Sequence, residues 1–146
     1  MPRFARVRVP TSGLLLLDWA AMDGAELITQ LWTCIDRRDW RGLGETLHED
    51  VTLEYPVTGE AFRGRATVVA INAQYPEGWS IQVLRVIADG EDVVSEVEVP
   101  MAGVGVFRVA SFWTVRSDHV VHAREYWTSL QAEEGPTWRR PYRDPA

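Results

Sequence analysis

Apolar residues near the start of the chain recur at the spacing of a helix. They are Leu27, Leu31, Cys34 and Ile35. A stripe of this kind predicts an amphipathic helix that buries one face. Asp23 precedes Glu26 by three residues, which is the spacing of a capping box and predicts where this helix begins.

Two further helices are predicted over residues 40–47 and 67–75, where apolar side chains again recur every three or four positions. In the second of these helices the apolar side chains are Val68, Ile71 and Tyr75. All the predicted helices therefore lie in the N-terminal half of the chain.

From residue 51 onward the dominant period is two, as in strands that bury one face. Strands are predicted over residues 51–55, 62–63, 79–87, 92–99, 104–116 and 119–127. Short turns join the last four, which predicts antiparallel pairing. Because an apolar sheet face needs a partner layer, the helices should cover one side of the sheet. A twisted, curved sheet under helices leaves a hollow between the layers. These elements predict an α+β fold.

Length and composition suit one domain. The chain has 146 residues, of which 46% are hydrophobic and 25% are charged, as in ordinary globular proteins. We expect residues 1–21 to be an N-terminal extension, residues 22–130 to form the domain and residues 131–146 to form an irregular tail. The apolar run at residues 14–17 is too short for a signal peptide or a membrane span, so we expect neither.

The formal net charge of −6 argues against nucleic acid or an anionic membrane as a partner, since both require a basic surface. Arg139, Arg140 and Arg143 lie among prolines, which favours a solvated terminus. Cys34 is the only cysteine, so an internal disulfide is excluded and a cytoplasmic location is favoured. No spacing of His or Cys predicts a metal site, and no glycine-rich loop predicts a nucleotide cofactor.

The order of elements and three segments resemble the nuclear transport factor 2-like superfamily, particularly its SnoaL-like branch. The segments are HEDVTLEYPVTGEAFRGR at residues 48–65, VVSEVEV at 93–99 and HVVHAREYW at 119–127. The resemblance implies a cone-shaped barrel, in which a curved, mixed, mostly antiparallel sheet wraps around the helices and encloses a pocket. It also implies a homodimer formed through the outer sheet face. The superfamily includes steroid isomerases, limonene-epoxide hydrolases, polyketide cyclases and dehydratases, so the activity must be argued from the site.

The catalytic residues of the steroid isomerases have no counterparts in this chain. The segment LEYPVTG is similar to the one that carries their catalytic Asp, and Tyr55 stands at that position. Their oxyanion-binding Tyr and Asp correspond approximately to Leu31 and Ala110. The resemblance therefore does not imply that particular isomerase chemistry.

The limonene-epoxide hydrolases resemble this chain more closely in their acidic residues. Glu96 and Glu98 stand where those enzymes carry an Arg and an Asp, and Glu125 stands where they carry a second Asp. The Tyr and Asn that hold their attacking water correspond to Leu53 and Tyr55. The resemblance implies acidic residues in the pocket, without the bridging Arg.

The predicted pocket combines acids with aromatic side chains. We expect Glu96, Glu98 and Glu125 to enter the hollow as catalytic residues, and Tyr55 to donate a hydrogen bond into it. Burial raises the pKa of a carboxyl, and neighbouring acids push their pKa values apart, so a general acid can stand beside a general base. The substrate-binding residues are predicted to be Trp32, Leu53, Trp79, Phe107, Val109, Ser111, Trp113 and Trp127.

The sequence leaves the register of the strand at 92–99 open. Its odd-numbered residues form a more apolar face than its even-numbered ones, so a shift of one residue would turn Glu96 and Glu98 towards solvent. The leading hypothesis is a cofactor-free enzyme that isomerises, cyclises, dehydrates or hydrates a small apolar molecule. The alternative is a non-catalytic domain that binds or senses such a molecule, which outward-facing glutamates would favour.

Overall fold

The computed structural model describes residues 22–131 and 133–145, so the extension expected at residues 1–21 lies outside the described residues. Three α-helices and six strands follow one another along this part of the chain, with all the α-helices before the last four strands. The order is α1 (Gly24–Asp36), α2 (Trp40–Thr46), β1 (Leu47–Tyr55), β2 (Glu60–Arg63), α3 (Arg65–Ala73), β3 (Gln82–Asp89), β4 (Asp92–Met101), β5 (Gly105–Arg116) and β6 (His119–Ser129).

Side chains cap the first two helices at their N-termini. The Asp23 carboxylate accepts a hydrogen bond of 2.8 Å from the Glu26 backbone N–H, as the sequence predicted. Asp39 caps α2 in the same way, through a 2.8 Å bond from the Gly42 N–H. The predicted apolar stripe of α1 is buried against the sheet.

The six strands form one sheet in the order β2-β1-β6-β5-β4-β3. β1 and β6 pair in parallel, and all the other neighbours are antiparallel. The predicted α+β class and the mixed, mostly antiparallel sheet are therefore confirmed. The sheet stays open rather than closing into a full barrel, because β2 and β3 are its two edges.

Irregularities in the ladders bend this sheet around the helices. The β5–β6 register jumps from Thr114↔His122 to Val115↔Val120, which leaves Val121 as an extra residue on β6. Further shifts interrupt the β1–β6 and β3–β4 ladders. A bulge of this kind increases local twist and bends the strand, so the sheet curves and leaves space under the helices.

Several segments differ from their predicted limits. β4 continues through Pro100 to Met101, where the sequence predicts a turn, while Trp79 makes only an isolated bridge with Met101 instead of starting β3. The tail carries a short 3-10 helix, Thr137–Tyr142, at residues predicted to be irregular.

Side chains alternate cleanly between the two faces of β4. Its odd-numbered residues from 93 to 99 are buried, whereas Glu96 and Glu98 are only half-buried on the opposite face. The register that the sequence left open is therefore the one that turns the glutamates away from the helices. The inner face of β5 is continuous with it through Val109, Ser111 and Trp113.

A buried polar junction ties α1 to the sheet. The indole N–H groups of Trp32 on α1 and Trp113 on β5 both donate to the Ser95 hydroxyl, at 3.1 Å and 2.8 Å. The two rings also meet edge to face, with centroids 5.8 Å apart. Because Ser95 is fully buried, both donors depend on this one acceptor, and the helix is held at a fixed position over β4 and β5.

Replacing Ser95 by Ala should therefore destabilise the fold by about 2 kcal/mol or more, because it leaves two buried N–H donors without an acceptor. Urea unfolding followed by circular dichroism measures the change. Ser111→Ala is the matched control, since Ser111 is equally buried, stands directly opposite Ser95 in the ladder and makes no well-formed hydrogen bond within the described residues. Equal losses for the two variants would show that the junction contributes nothing specific.

Candidate functional site

A cavity of about 460 Å³ lies between the helices and the inner face of the sheet. This volume is within the range of about 300 to 1,000 Å³ that is typical of small-molecule sites. Helix α1, strands β1 and β4–β6, and the segments around α3 all contribute to its wall. The lining residues are Trp32, Ile35, Tyr55, Val57, Thr58, Phe62, Ile71, Asn72, Tyr75, Trp79, Ile81, Val99, Phe107, Glu125, Trp127 and Ser129.

The cavity is open to solvent at one end and buried at the other. Val57, which is 72% exposed, and the exposed Thr58 and Ser129 border its entrance. Trp32 and Val99 are almost completely buried at its inner end. A ligand that enters would therefore pass from solvent into an apolar interior.

Glu125 is the acidic residue at the inner end of this cavity. It projects from β6 between the buried Ala123 and the half-buried Trp127, and it is only 6% exposed. The Trp127 indole N–H donates to its carboxylate at 3.3 Å. Ser111 stands opposite it in the β5–β6 ladder. These neighbours supply hydrogen-bonding capacity but no positive charge.

Burial raises the pKa of Glu125 to about 7, and the contacts of Trp127 and Ser111 with the carboxyl oppose this only in part. The Ser111 hydroxyl favours the ionised form without making a well-formed hydrogen bond in the described structure. No Lys, Arg or His is among the residues that line the cavity in the described part of the chain. Glu125 can therefore exchange a proton near neutral pH, as a general acid or base must.

Two phenols accompany Glu125 in the cavity. Burial raises the pKa of Tyr55, and the nearby charge of Glu125 raises it further, so its hydroxyl stays protonated and can donate a hydrogen bond. Tyr55 meets Phe62 edge to face at 5.3 Å, which fixes its ring at the β1–β2 side of the cavity. Tyr75 also borders the cavity.

The structure places some of the predicted substrate-binding residues in the cavity and others beneath it. Trp32, Trp79, Phe107 and Trp127 line the cavity, as do the predicted catalytic residues Tyr55 and Glu125. The others are packed in the core below it. They are Leu53, Val109, Ser111 and Trp113. Leu53 and Trp113 border only a small chamber of about 20 Å³ under Glu125.

The expectation that Glu96 and Glu98 enter the hollow is wrong. Arg108, which faces outward from β5, donates to Glu98 at 2.7 Å and lies 3.7 Å from Glu96. The physical reason is the valine and serine face of β4, whose burial under α1 outweighs any placement of two carboxylates in the apolar interior. Glu125 is consequently the only carboxylate among the described residues that line the cavity.

Sequence analysis missed the contribution of α3 and the segment after it. Ile71, Asn72 and Tyr75 line the cavity, together with Phe62 on β2 and Ile81 before β3. The helical spacing of Ile71 and Tyr75 was visible in the sequence, but it was interpreted only as a core-facing stripe. The placement of α3 beside a cavity depends on the curvature of the sheet, which the sequence pattern does not specify.

Neither a cluster of metal-binding side chains nor a membrane-spanning helix is present in the described residues, 22–131 and 133–145. No group of three or more His, Cys, Asp or Glu side chains there is arranged to hold a metal ion. No helix in the same residues is long and apolar enough to cross a membrane.

A curved, open sheet that wraps around helices and encloses an apolar cavity defines the nuclear transport factor 2-like class of proteins. Within that class the chain belongs to the SnoaL-like family, because the SnoaL-like domain matches residues 28–123. The sequence has no significant match among curated proteins.

Several solved structures share this fold. A candidate ketosteroid isomerase from Kribbella flavida DSM 17836 is 29% identical, with a TM-score of 0.76 over 84% of this chain and 90% of that chain. An NTF-2-like protein of unknown function from Burkholderia xenovorans LB400 is 22% identical, with a TM-score of 0.70 over 82% and 91%. An LEH-like epoxide hydrolase from M. tuberculosis is 18% identical, with a TM-score of 0.62 over 71% and 81%. The last two likenesses show the fold alone.

The raised pKa of Glu125 predicts a pH-dependent stability difference between the protein and its Glu125→Gln variant. The ordinary pKa is 4.5 and the folded one is about 7, so between these values the folded state binds more protons and wild-type stability falls as pH rises. Gln does not titrate, so the variant should gain roughly 3 kcal/mol relative to wild type between pH 4.5 and pH 8. Urea unfolding of both proteins across this range measures the difference, and a constant difference would contradict the raised pKa.

Proposed function

We propose that this protein is a cofactor-free acid–base enzyme that moves a proton on a small apolar molecule bound in the cavity. The observation that carries the proposal is Glu125, a carboxyl with a pKa of about 7 at the buried end of an aromatic cavity. A carboxyl of this kind accepts and returns protons at physiological pH. Similarity to a candidate ketosteroid isomerase supports the same class of reaction.

One carboxyl restricts the chemistry that the cavity can perform. Reactions that need a general acid and a general base together would use two groups, but Glu96 and Glu98 lie on the other sheet face. A single carboxylate suffices when the group that removes a proton also returns it. Double-bond isomerisation next to a carbonyl has this requirement, and aldol-type cyclisation begins with the same proton removal. We therefore favour isomerisation or cyclisation over hydration of an epoxide.

The proposed reaction begins with ionised Glu125. Its carboxylate takes a proton from the α-carbon of a β,γ-unsaturated ketone, and the electron pair of the broken C–H bond moves towards the carbonyl oxygen to form a dienolate. The Tyr55 hydroxyl donates a hydrogen bond to the enolate oxygen and stabilises its developing charge. Protonated Glu125 then delivers the proton to the γ-carbon, where the β,γ electron pair forms the new C–H bond. The enolate electrons form the α,β double bond and restore the carbonyl, and Glu125 is ionised again. Atoms and charges balance without a cofactor.

The second candidate function is binding without turnover. It is favoured by the loss of the expected acid pair from the cavity, which leaves Glu125 with aromatic and aliphatic neighbours. Such a cavity would retain an apolar ligand by burial of its surface alone. The two functions differ in whether Glu125 takes part in a chemical step or only lines the cavity.

Replacing Glu125 by Gln should reduce turnover by about 100-fold or more, the usual contribution of a general base. The assay incubates the protein with a panel of hydrophobic enones and ketones in D₂O, and follows deuterium incorporation and double-bond migration by NMR. The wild-type rate should rise as pH passes about 7, because the ionised carboxylate is the base.

Glu96→Gln is the matched control for this experiment, because it removes a carboxylate of the same type from the outer face. The control should retain the wild-type rate. Ligand binding without exchange in any compound of the panel would favour the binding function. Equal exchange rates in wild type and Glu125→Gln would exclude Glu125 as the base.

We also propose that the protein forms a homodimer through the outer sheet face, in the reducing cytoplasm that its single cysteine suits. Phe112 is 41% exposed at the centre of this face, beside the exposed Val94 in the ladder. Tyr126 meets Phe112 edge to face at 6.0 Å, and the Arg124 guanidinium lies 5.6 Å from the ring centroid. A partly exposed aromatic centre with charged neighbours is typical of a protein interface.

Phe112→Asp should convert the dimer to a monomer, because it would bury a charge at the centre of the interface. Analytical ultracentrifugation at micromolar concentration measures the mass. Val104→Asp is the control, since Val104 is exposed and apolar but lies in the β4–β5 turn, away from this face. A monomeric wild-type protein would refute the proposed assembly.

A further inference from the structure

Arg38 joins the end of α1 to the segment that precedes β3. Its guanidinium donates to both carboxylate oxygens of Glu77, at 3.2 Å and 2.9 Å, and to the backbone carbonyls of Trp79 and Asp36, each at 2.7 Å. The same guanidinium lies over the Trp79 ring, 3.4 Å from its centroid. In addition, the Ile81 N–H donates to the Asp36 carboxylate at 2.7 Å. This segment, with Trp79 and Ile81, forms one wall of the cavity.

The backbone of Arg38 indicates that its side chain is needed. Arg38 has a φ of 60°, in the left-handed region just after the C-terminus of α1. Glycine is the usual residue at such a position, because a side chain there is sterically disfavoured. An unfavourable backbone conformation that persists suggests a role for the residue that adopts it. Here the contacts of the guanidinium offset the cost.

Trp79 depends on ring contacts for its orientation. Its side chain is 8% exposed, and its indole N–H has no hydrogen-bond acceptor among the described residues. The ring is instead held between the Arg38 guanidinium on one side and Tyr75, which it meets edge to face at 6.0 Å. Loss of Arg38 would therefore release the indole on the side that faces away from the cavity.

The ring contacts continue from Trp79 to the reactive carboxyl. Tyr75 stacks on Trp127 at 5.9 Å with an angle of 26° between the rings. Trp127 in turn donates its indole N–H to Glu125 at 3.3 Å. A contiguous row of side chains thus leads from Arg38, at the protein surface, to Glu125 at the inner end of the cavity.

We propose that Arg38 is a positioning residue for Glu125, because it fixes Trp79 and, through Tyr75, the Trp127 indole that contacts the carboxyl. Arg38 is not among the residues that line the cavity, and it acts only through these rings. The inference rests on the proposed function for its catalytic meaning, but the orientation of Trp127 can be measured without any substrate.

Few other titratable groups surround Glu125, so its pKa reports on the hydrogen bond that Trp127 donates to it. The titratable groups that border the cavity with it are Tyr55 from β1 and Tyr75 after α3, and the small chamber beneath it is lined by no titratable group other than Glu125 itself. The Trp127 hydrogen bond favours the ionised carboxylate and lowers the pKa that burial has raised. Loss of this bond should therefore raise the pKa of Glu125.

The test is a carbon-13 NMR titration of the Glu125 carboxyl, assigned by its absence in Glu125→Gln. Arg38→Met should raise the pKa of Glu125 by roughly half a unit, the effect of losing one weak hydrogen bond to a charged group. Trp127→Phe removes the donor directly and should give a shift at least as large. Arg38→Lys keeps a positive charge without the planar fork, so it should shift the pKa in the same direction by less.

Two controls separate positioning from other effects of the charge. Arg41→Met removes an arginine from α2 whose side chain is 93% exposed, and it should leave the titration unchanged. Glu77→Gln removes the ion pair but leaves the guanidinium on Trp79, and it should shift the pKa less than Arg38→Met does.

A double variant decides the mechanism. Arg38→Met in the Trp127→Phe background should cause no further shift, because the proposed row of contacts is already broken. A further shift of full size would show a direct charge effect and overturn the proposal. An unchanged or lowered pKa in Arg38→Met and Arg38→Lys would also overturn it. Either result leaves the proposed catalytic role of Glu125 untouched, because the deuterium-exchange assay tests that role separately.

Discussion

The two indole N–H groups that share the Ser95 hydroxyl determine where the cavity can form. Trp32 reaches this acceptor from α1, and Trp113 reaches it from β5, so the helix and the sheet are joined at a buried point. On one side of the junction the buried Val93 lies against Gly24 at the start of α1. On the other side Trp32 lines the cavity. Two large rings held by one small acceptor keep the layers apart, and this separation leaves room for a ligand.

The same separation explains why the pKa of Glu125 is raised. A carboxyl in an apolar layer is stable only if it is protonated or has a partner, because a bare buried charge is strongly penalised. Glu125 has a weak donor in Trp127 and no cation among the residues lining the cavity in the described structure, so its pKa lies near 7. By contrast, Glu98 has Arg108 at 2.7 Å on the outer face. Among the described residues, Glu125 therefore lacks the counter-charge that Glu98 has on the outer face.

Periodicity in the sequence predicted the elements well, and it predicted less about their environment. Alternation located β4, but it could not decide the placement of Glu96, since both faces carry some valine; burial of the more apolar face decided it. The bulge in β6 interrupts the alternation of that strand, so that Val120 rather than Val121 is fully buried. Glu125 kept its predicted inward direction because it lies beyond the bulge. Tyr75 was visible as part of a helical stripe, but its position over the cavity depends on sheet curvature.

The aromatic side chains that line the cavity help to stabilise a fold with a hollow interior. Apolar cavities are costly because their lining loses packing contacts. In this protein the rings of Phe107, Trp127, Tyr75 and Trp79 contact each other in sequence, at centroid distances of 6.3, 5.9 and 6.0 Å. Each ring therefore finds part of its packing within the wall rather than across the cavity. Rigid side chains with few rotatable bonds lose little further freedom when a ligand enters, so a wall of this kind favours an open, preformed site.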